Sequence, residues 1–392
     1  MLANRPAAGQ AASVTTPDTV VADRPWRVLP APPVPPSVDH PDAWAYAGSA
    51  EVSRQSHLAI WGWADLHAPV GVLLGILSAN PYRDVASWVA VVGDPAQPPR
   101  AQDVVGFARV DLPTTANTHT AGGDVVVLPG YEGRGVGAAL LATLEEHVRA
   151  TGRTTLYLFS DHSPEPPPGP GALTAPTGTG RAPADARAVR LGLARGYAIE
   201  QVARYSVLEL PEDPEQRAAL AADARAHAGE AYRTHTWRDE LPADRYDDLA
   251  DLWTRMSTDV PLGGLDLQED PWDADRVRAH LERLAQQHQH VLIAAAEHVT
   301  TGRLAAFTVL HTPVPDVPFA FQEDTLVLRE HRGHRLGMLV KAANLDAYTA
   351  WRPGVRRIHT WNAQENAHML AINVALGFRQ AGVSVAWQRT GL

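Results

Sequence analysis

The sequence predicts an α+β protein built from two copies of one unit. Three observations carry that reading. Apolar, strand-like runs alternate with helical patterns along the whole chain. The length, 392 residues, is that of two ordinary domains. Most directly, Asp124-Val-Val-Val-Leu-Pro-Gly-Tyr-Glu-Gly133-Arg-Gly-Val-Gly137 lies without a gap over Asp324-Thr-Leu-Val-Leu-Arg-Glu-His-Arg-Gly333-His-Arg-Leu-Gly337. Downstream, Leu193-Ala-Arg-Gly196-Tyr197 lies over Val374-Ala-Leu-Gly377-Phe378.

In chain order, residues 1–24 form an Ala/Pro/Thr-rich tail expected to be disordered, without the charged-then-apolar order of a secretory signal. The first unit spans 25–210. It opens with a strand at 26–29 and a Pro-rich run, whose fixed φ and missing donors exclude it from a sheet interior. A helix is expected over 42–66, strands at 88–92, 104–110 and 125–128, a helix from 135 to 151 and a strand at 155–159. Residues 163–184 are rich in Pro, Gly, Thr and Ala and read as a mobile loop. A short helix at 186–195 stops at Gly196, and a strand follows at 205–210. Residues 211–231 read as a linker helix. The second unit, 232–392, repeats the order: strand 232–237, helices 243–256 and 271–287, strands 291–295, 304–310 and 325–328, a helix from 336, a strand at 357–361, a helix at 366–376 and a last strand at 383–388. Asp270 is placed to cap the helix at 271, with Pro271 at its first position.

Hydrophobic residues make up 45% and charged residues 20%, enough for real cores. Cysteine is absent, which excludes disulfides, a thiolate nucleophile and Cys-ligated zinc. No run approaches the ~18 apolar residues of a membrane span. A net charge of -10 argues against nucleic acid or anionic membranes as partners. These features point to a cytoplasmic location. The histidines, His288, His290, His331 and His334 among them, lack metal-ligand spacing, so no metal site is expected. The basic side chains are nearly all arginine, and Lys341 is the sole lysine.

The chemistry sits at the repeated loop. Each copy runs strand, glycine-bearing turn, helix, and the unpaired amides and positive dipole at such a helix start suit a pyrophosphate. Gly133, Gly135 and Gly137 allow close approach in the first copy; Gly333 and Gly337 do so in the second, where Arg332 and Arg335 add charge. Gly133-Arg-Gly135-Val-Gly-Ala138 also fits a dinucleotide fingerprint, with Asp161 after the next strand. Two facts oppose a dinucleotide fold: several strands precede the loop, and its repeat does not match.

These residues resemble the GNAT superfamily of N-acetyltransferases, whose signature is Arg/Gln-x-x-Gly-x-Gly/Ala at a strand–helix junction. The first copy reads Glu132-Gly-Arg-Gly135-Val-Gly137, with Glu132 at the leading position; the second reads Arg332-Gly-His-Arg335-Leu-Gly337, with Arg335 in place of a glycine that a helical φ would not require. A later family motif, Asn-x-x-Ala-x-x-Leu-Tyr-x-x-x-Gly-Phe, is similar to Asn366-Ala-His-Met369-Leu-Ala-Ile372-Asn373-Val-Ala-Leu-Gly377-Phe378; the first copy offers Asp185, Ala188, Leu191, Gly192, Gly196 and Tyr197. Neither copy keeps the tyrosine that reprotonates the CoA thiolate. The likeness covers nearly the whole ordered chain and is closest to tandem, two-domain members of bacterial type.

The resemblance implies two GNAT domains, each a mixed, mostly antiparallel twisted sheet flanked by helices. It implies transfer of acetyl from acetyl-CoA to a primary amine of a small molecule. It places a catalytic base at Glu323 or Asp324, adjacent residues that a regular strand would turn to opposite faces, with Asp124 as the first-copy equivalent of Asp324. A strand-end carboxylate paired with a nearby arginine or exposed to solvent is the alternative for each. It implies cofactor contacts at Val327, Leu328, Arg332, Gly333, His334, Arg335, Leu336 and Gly337, and in the first copy at Leu128, Gly133, Arg134, Gly135, Val136 and Gly137. Asn362 and Asn366 are candidates for CoA contacts or for helix capping. The chemistry is expected in the second unit, the first binding acetyl-CoA without turnover or serving as structure. A non-catalytic acyl-CoA sensor or scaffold and a peptide or protein acetyltransferase are the alternatives, and a homodimer is compatible with all three.

Overall fold

The computed structural model describes residues 25–313 and 317–392, and the expected tail, 1–24, lies outside the described residues. Each half lays two helices on one face of its sheet and two on the other. In the first half these elements are β1 (Trp26–Pro30), α1 (Trp44–Trp61), α2 (Val70–Leu77), β2 (Arg83–Val92), β3 (Val104–Pro113), β4 (Thr120–Val127), α3 (Val136–Ala150), β5 (Thr155–His162), a small ribbon β6 (Ala172–Thr174) and β7 (Arg181–Pro183), α4 (Arg187–Ala194) and β8 (Ala198–Glu209). After α5 (Pro214–Ala228) the second half follows: β9 (Tyr232–Arg238), α6 (Tyr246–Asp259), α7 (Ala274–Gln286), β10 (Gln289–His298), β11 (Arg303–Pro313), β12 (Phe319–Val327), α8 (Leu336–Trp351), β13 (Arg357–Ala363), α9 (Ala367–Ala375) and β14 (Arg379–Thr390).

The strands form one twelve-stranded sheet in the order β1-β2-β3-β4-β5-β14-β8-β13-β12-β11-β10-β9. The last strand of each half crosses into the other: β8 pairs antiparallel with β13, and β14 pairs antiparallel with β5. β8 and β14 also pair with each other, closing the sheet at its centre. The halves are therefore stitched by backbone hydrogen bonds rather than by α5 alone.

Periodicity explains the layers. Leu140, Leu141, Leu144 and Val148 place one stripe of α3 in a core with Val105, Ala108, Leu156 and Trp387. Leu140 and Leu144 are fully buried, each contributing about 1.5–3 kcal/mol relative to exposure. α8 packs its stripe on Leu292, Ala294 and Ala306, while α6 and α7 pack Leu249, Leu252, Trp253 and Leu281 on Ile293, Phe307 and Leu326 across the sheet.

Two local expectations are corrected. The Pro/Gly-rich stretch 163–184 is not without structure: it contains β6 and β7, buries Ala175 and Ala182, and pairs Arg181 with Glu165 at 2.9 Å. α7 is capped by Asp273, which accepts from the Arg276 amide at 2.7 Å, whereas Asp270 holds the Arg276 guanidinium at 2.6 and 2.7 Å.

Candidate functional site

In each half the two central parallel strands separate. β4 and β5 pair from Thr120/Thr155 to Gly123/Leu158 and then diverge; β12 and β13 pair only from Phe319/Arg357 to Phe321/His359. The loop that follows β4 or β12 is built alike in both halves. A single 3-10 turn leads to two residues with positive φ, +74° at Gly133 and +82° at Gly135, +89° at Gly333 and +55° at Arg335. The position of Arg335 is thus left-handed rather than helical, which corrects the sequence expectation; a non-glycine residue there costs about 1 kcal/mol. The second residue is the N-cap of α3 or α8, and neither helix start carries a side-chain cap. The first carbonyl–amide closures are Ala139 to Gly135 and Leu339 to Arg335. The amides of Val136, Gly137, Leu336 and Gly337 therefore project from the helix ends, an arrangement for an anion. The side chains of Val136 and Leu336 point into the cores, each 1% exposed.

The loops differ in charge. In the first, Glu132 faces Arg187 at 3.6 Å, the Arg187 guanidinium covers Gly133, and Arg134 lies over the Tyr131 ring. In the second, Arg329 and Arg332 converge on the buried Asp259 at 3.0 and 3.3 Å, Arg335 pairs with Asp223 of α5, and Gly333 faces open space. The His334 ring lies 5.3 Å from the Tyr232 ring. The Leu328 amide is already used, donating to Ala305 at 3.0 Å, as Leu128 donates to Val105 at 2.9 Å. Strand alternation then turns the Val327 amide toward the separation between β12 and β13. Asn366 is the N-cap of α9, accepting from the Met369 amide at 3.2 Å, and Asn362 accepts from Asn373 at 2.6 Å.

The carboxylates before the second loop sit on a β-bulge. Pairing of β11 and β12 shifts between Thr308 and Leu310, so Glu323 and Asp324 together oppose Val309. The expected opposition of their faces is corrected: Asp324 accepts from Trp253 Nε1 on α6 at 2.8 Å, and Glu323 meets His311 Nε2 at 3.1 Å, whose charge in turn reaches His280 on α7. Burial and the neighbouring Glu323 push the Asp324 carboxyl up to about 6. Partial burial acts against the charge of Glu323, whose side chain is 42% exposed, but the hydrogen bond and charge of His311 outweigh it and hold that carboxyl below its ordinary value. Trp272, tilted against Trp253 with ring centres 4.9 Å apart, and Phe307 complete an aromatic wall.

In the first half β4 has no bulge, and Asp124 is paired to Arg109 at 2.5 Å. Here a cavity of about 1240 Å³ runs from the glycine loop, past Asp124 and Asp161, to Ser53, Ser56 and His57 on α1. Asp161, raised to about 6 mainly by burial and further by Asp124, faces it, and the His57 Nδ1 is buried without a hydrogen-bond partner. Sequence reasoning missed His311, Trp253, Arg109, Asp259 and Asp223 as parts of these sites, because each comes from an element remote from the motif. Among the described residues no cluster of His and carboxylates could hold a metal, and no helix is long and apolar enough to cross a membrane.

Comparison with known proteins agrees with this geometry. The sequence pattern of the Acetyltransferase (GNAT) family matches residues 61–165, which include the first splayed strand pair and its loop. No curated protein matches the chain at a significant level. Among solved structures, a tandem GNAT protein from the clavulanic acid biosynthesis pathway, solved without AcCoA, is 25% identical; the match covers 94% of this chain and 99% of that one, with a TM-score of 0.69. A GCN5-related N-acetyltransferase from Sphaerobacter thermophilus is 14% identical over 93% of this chain and 95% of its own, with a TM-score of 0.58, and shares the fold. Two splayed strand pairs, two left-handed turns into uncapped helices, and a match along the full length of a tandem GNAT structure lead to one assignment: residues 61–165 form a GNAT-family acetyltransferase domain, and the chain as a whole has the architecture of a tandem GNAT acyltransferase.

Proposed function

We propose that the chain transfers acetyl from acetyl-CoA to a primary amine of a small molecule, with the chemistry in the second of two GNAT units, 25–210 and 232–392. The observation that carries this reading is the bulge at Glu323 and Asp324. It sets a carboxylate that titrates near 6 beside an aromatic wall, with no arginine opposite it. A primary amine is mostly protonated at neutral pH, with a pKa of about 10.4 for a lysine-like group. Asp324 acts as the base that takes its proton, Trp253 orients Asp324, and the ionised Glu323 attracts the ammonium. Arg329, Arg332 and Arg335 supply the charge for the pyrophosphate by exchanging their carboxylate partners for phosphate. The first unit holds a second acetyl-CoA in its cavity without turnover, since Arg109 neutralises Asp124.

A second reading, chemistry in the first unit, is favoured by Asp161, which titrates near 6 in that cavity. Calorimetric titration of acetyl-CoA with thiol-release assays over amino acids, amino sugars and polyamines separates the two. Arg332→Glu is expected to remove one binding site and all turnover, while Arg134→Glu leaves turnover within threefold of wild type. The reverse pattern would move the chemistry to Asp161. Two intact sites with no thiol release for any amine class would contradict the small-molecule reading.

A further inference from the structure

The tyrosine that should return a proton to the CoA sulfur is Asn373 in the second half, and the structure offers another donor nearby. Lys341, the sole lysine of the chain, lies on α8 one turn beyond Gly337 and is 2% exposed. Its Nζ stands 5.9 Å from the centre of the Phe378 ring. Matching Gly137 to Gly337 places Leu141 at the position of Lys341, and the later motif matches Gly192 to Asn373 and Tyr197 to Phe378. Leu141, Gly192 and Tyr197 all line the first-half cavity that leads away from the glycine loop. Lys341, Asn373 and Phe378 therefore take, in the second half, the positions that line that wall in the first. Asn373 is 2% exposed, with its Oδ1 buried and without a hydrogen-bond partner. A buried amine on such a wall, with no carboxylate beside it among the described residues, has no evident packing role that Leu141 does not fill.

We infer that Lys341 is the acid that protonates the departing CoA thiolate in the second half. The inference rests on the second-unit reading above. The amine, relieved of one proton by Asp324, attacks the thioester carbonyl carbon and the carbonyl pair moves to oxygen. As the carbonyl re-forms, the C–S bond breaks and its pair stays on sulfur. The Lys341 ammonium gives its proton to that sulfur, the remaining excess proton on nitrogen leaves to water, and solvent recharges Lys341 and discharges Asp324. Burial, the only influence resolved on this amine, brings Lys341 down to about 7, so it is partly charged at neutral pH and more acidic than a thiol of about 8.5.

The test titrates the thiol of bound CoA by its ultraviolet thiolate absorbance, in the full chain and in Lys341→Met and Lys341→Leu, the latter copying Leu141. In wild type one bound CoA is expected to ionise at least tenfold more readily than free CoA, because a nearby ammonium favours the thiolate. Both variants are expected to lose that shift, to keep CoA affinity within threefold, and to lower kcat about 100-fold with an unchanged KM for acetyl-CoA. Identical thiol titrations in wild type and in a folded variant would overturn the inference while leaving the second-unit reading intact. Arg332→Glu that removes no CoA site sinks that reading, and this inference with it.

Discussion

The two halves share a backbone and differ in what fills it. α1 packs on β3 and β4 as α6 packs on β11 and β12. With the offset that matches Asp124 to Asp324, Ser49, Ser53 and Ser56 of α1 correspond to Leu249, Trp253 and Met256 of α6. Small side chains leave the first half hollow, and the second half fills the same volume with an indole that holds its carboxylate. Across the strand pair, Arg109 opposite Asp124 becomes Val309 opposite Asp324. The first half thus has room, with Asp124 held by an arginine; the second has Asp324, free of any arginine, in a closer site. What separates the halves is therefore the freedom of the carboxylate before the loop, while Asp161 gives the first-half cavity a raised carboxyl of its own.

The largest effect expected is on pH dependence. Asp324 must be ionised to act as a base, so kcat/KM should rise about tenfold per pH unit up to about 6 and level above it. Initial rates of thiol release from pH 5 to 8 check this; a profile flat through 6 removes Asp324 as the base. Exchanging the fillings comes next. Trp253→Ser should cost about 3–5 kcal/mol in denaturant unfolding, by the loss of a large buried side chain. Ser53→Trp should instead shrink the first cavity and remove one acetyl-CoA site in calorimetry, with turnover retained. A smaller effect concerns Lys341. Its amine titrates lower folded than unfolded, so the unfolded chain binds the extra proton between about pH 7 and 10 and wild-type stability climbs over that window. Lys341→Met should melt higher than wild type at pH 6, with the gap closing toward pH 10. The smallest is Arg335→Gly. Relief of the left-handed strain, about 1 kcal/mol, is offset by loss of the exposed ion pair to Asp223, so the melting temperature should move by only a few degrees.

The duplicated loop was legible because its glycines answer a backbone requirement that both halves keep. The helical stripes of α3 and α8 were legible for the same reason that any amphipathic helix is. The exchange of β8 and β14 was not, since an apolar strand carries no mark of which neighbour it will pair with. The bulge at Glu323 and Asp324 was hidden too: it is a relation between β11 and β12, and one strand's sequence does not record its register. The α2 helix, Val-Gly-Val-Leu-Leu-Gly-Ile-Leu, escaped because a short apolar run shows no period. Partners such as Arg109, His311 and Asp259 lie on other elements, so the candidate site was visible as a motif but not as an electrostatic environment.

The central claim, that acetyl transfer belongs to the second half, meets its most direct test in one pair of variants. Asp324 and Asp161 are both carboxyls that titrate near 6, one in each half. Initial rates of thiol release from acetyl-CoA, with an amine that wild type acetylates, should fall about 10²–10⁴-fold in Asp324→Asn and stay within threefold in Asp161→Asn. A loss confined to Asp161→Asn would contradict the account and place the working site in the first-half cavity.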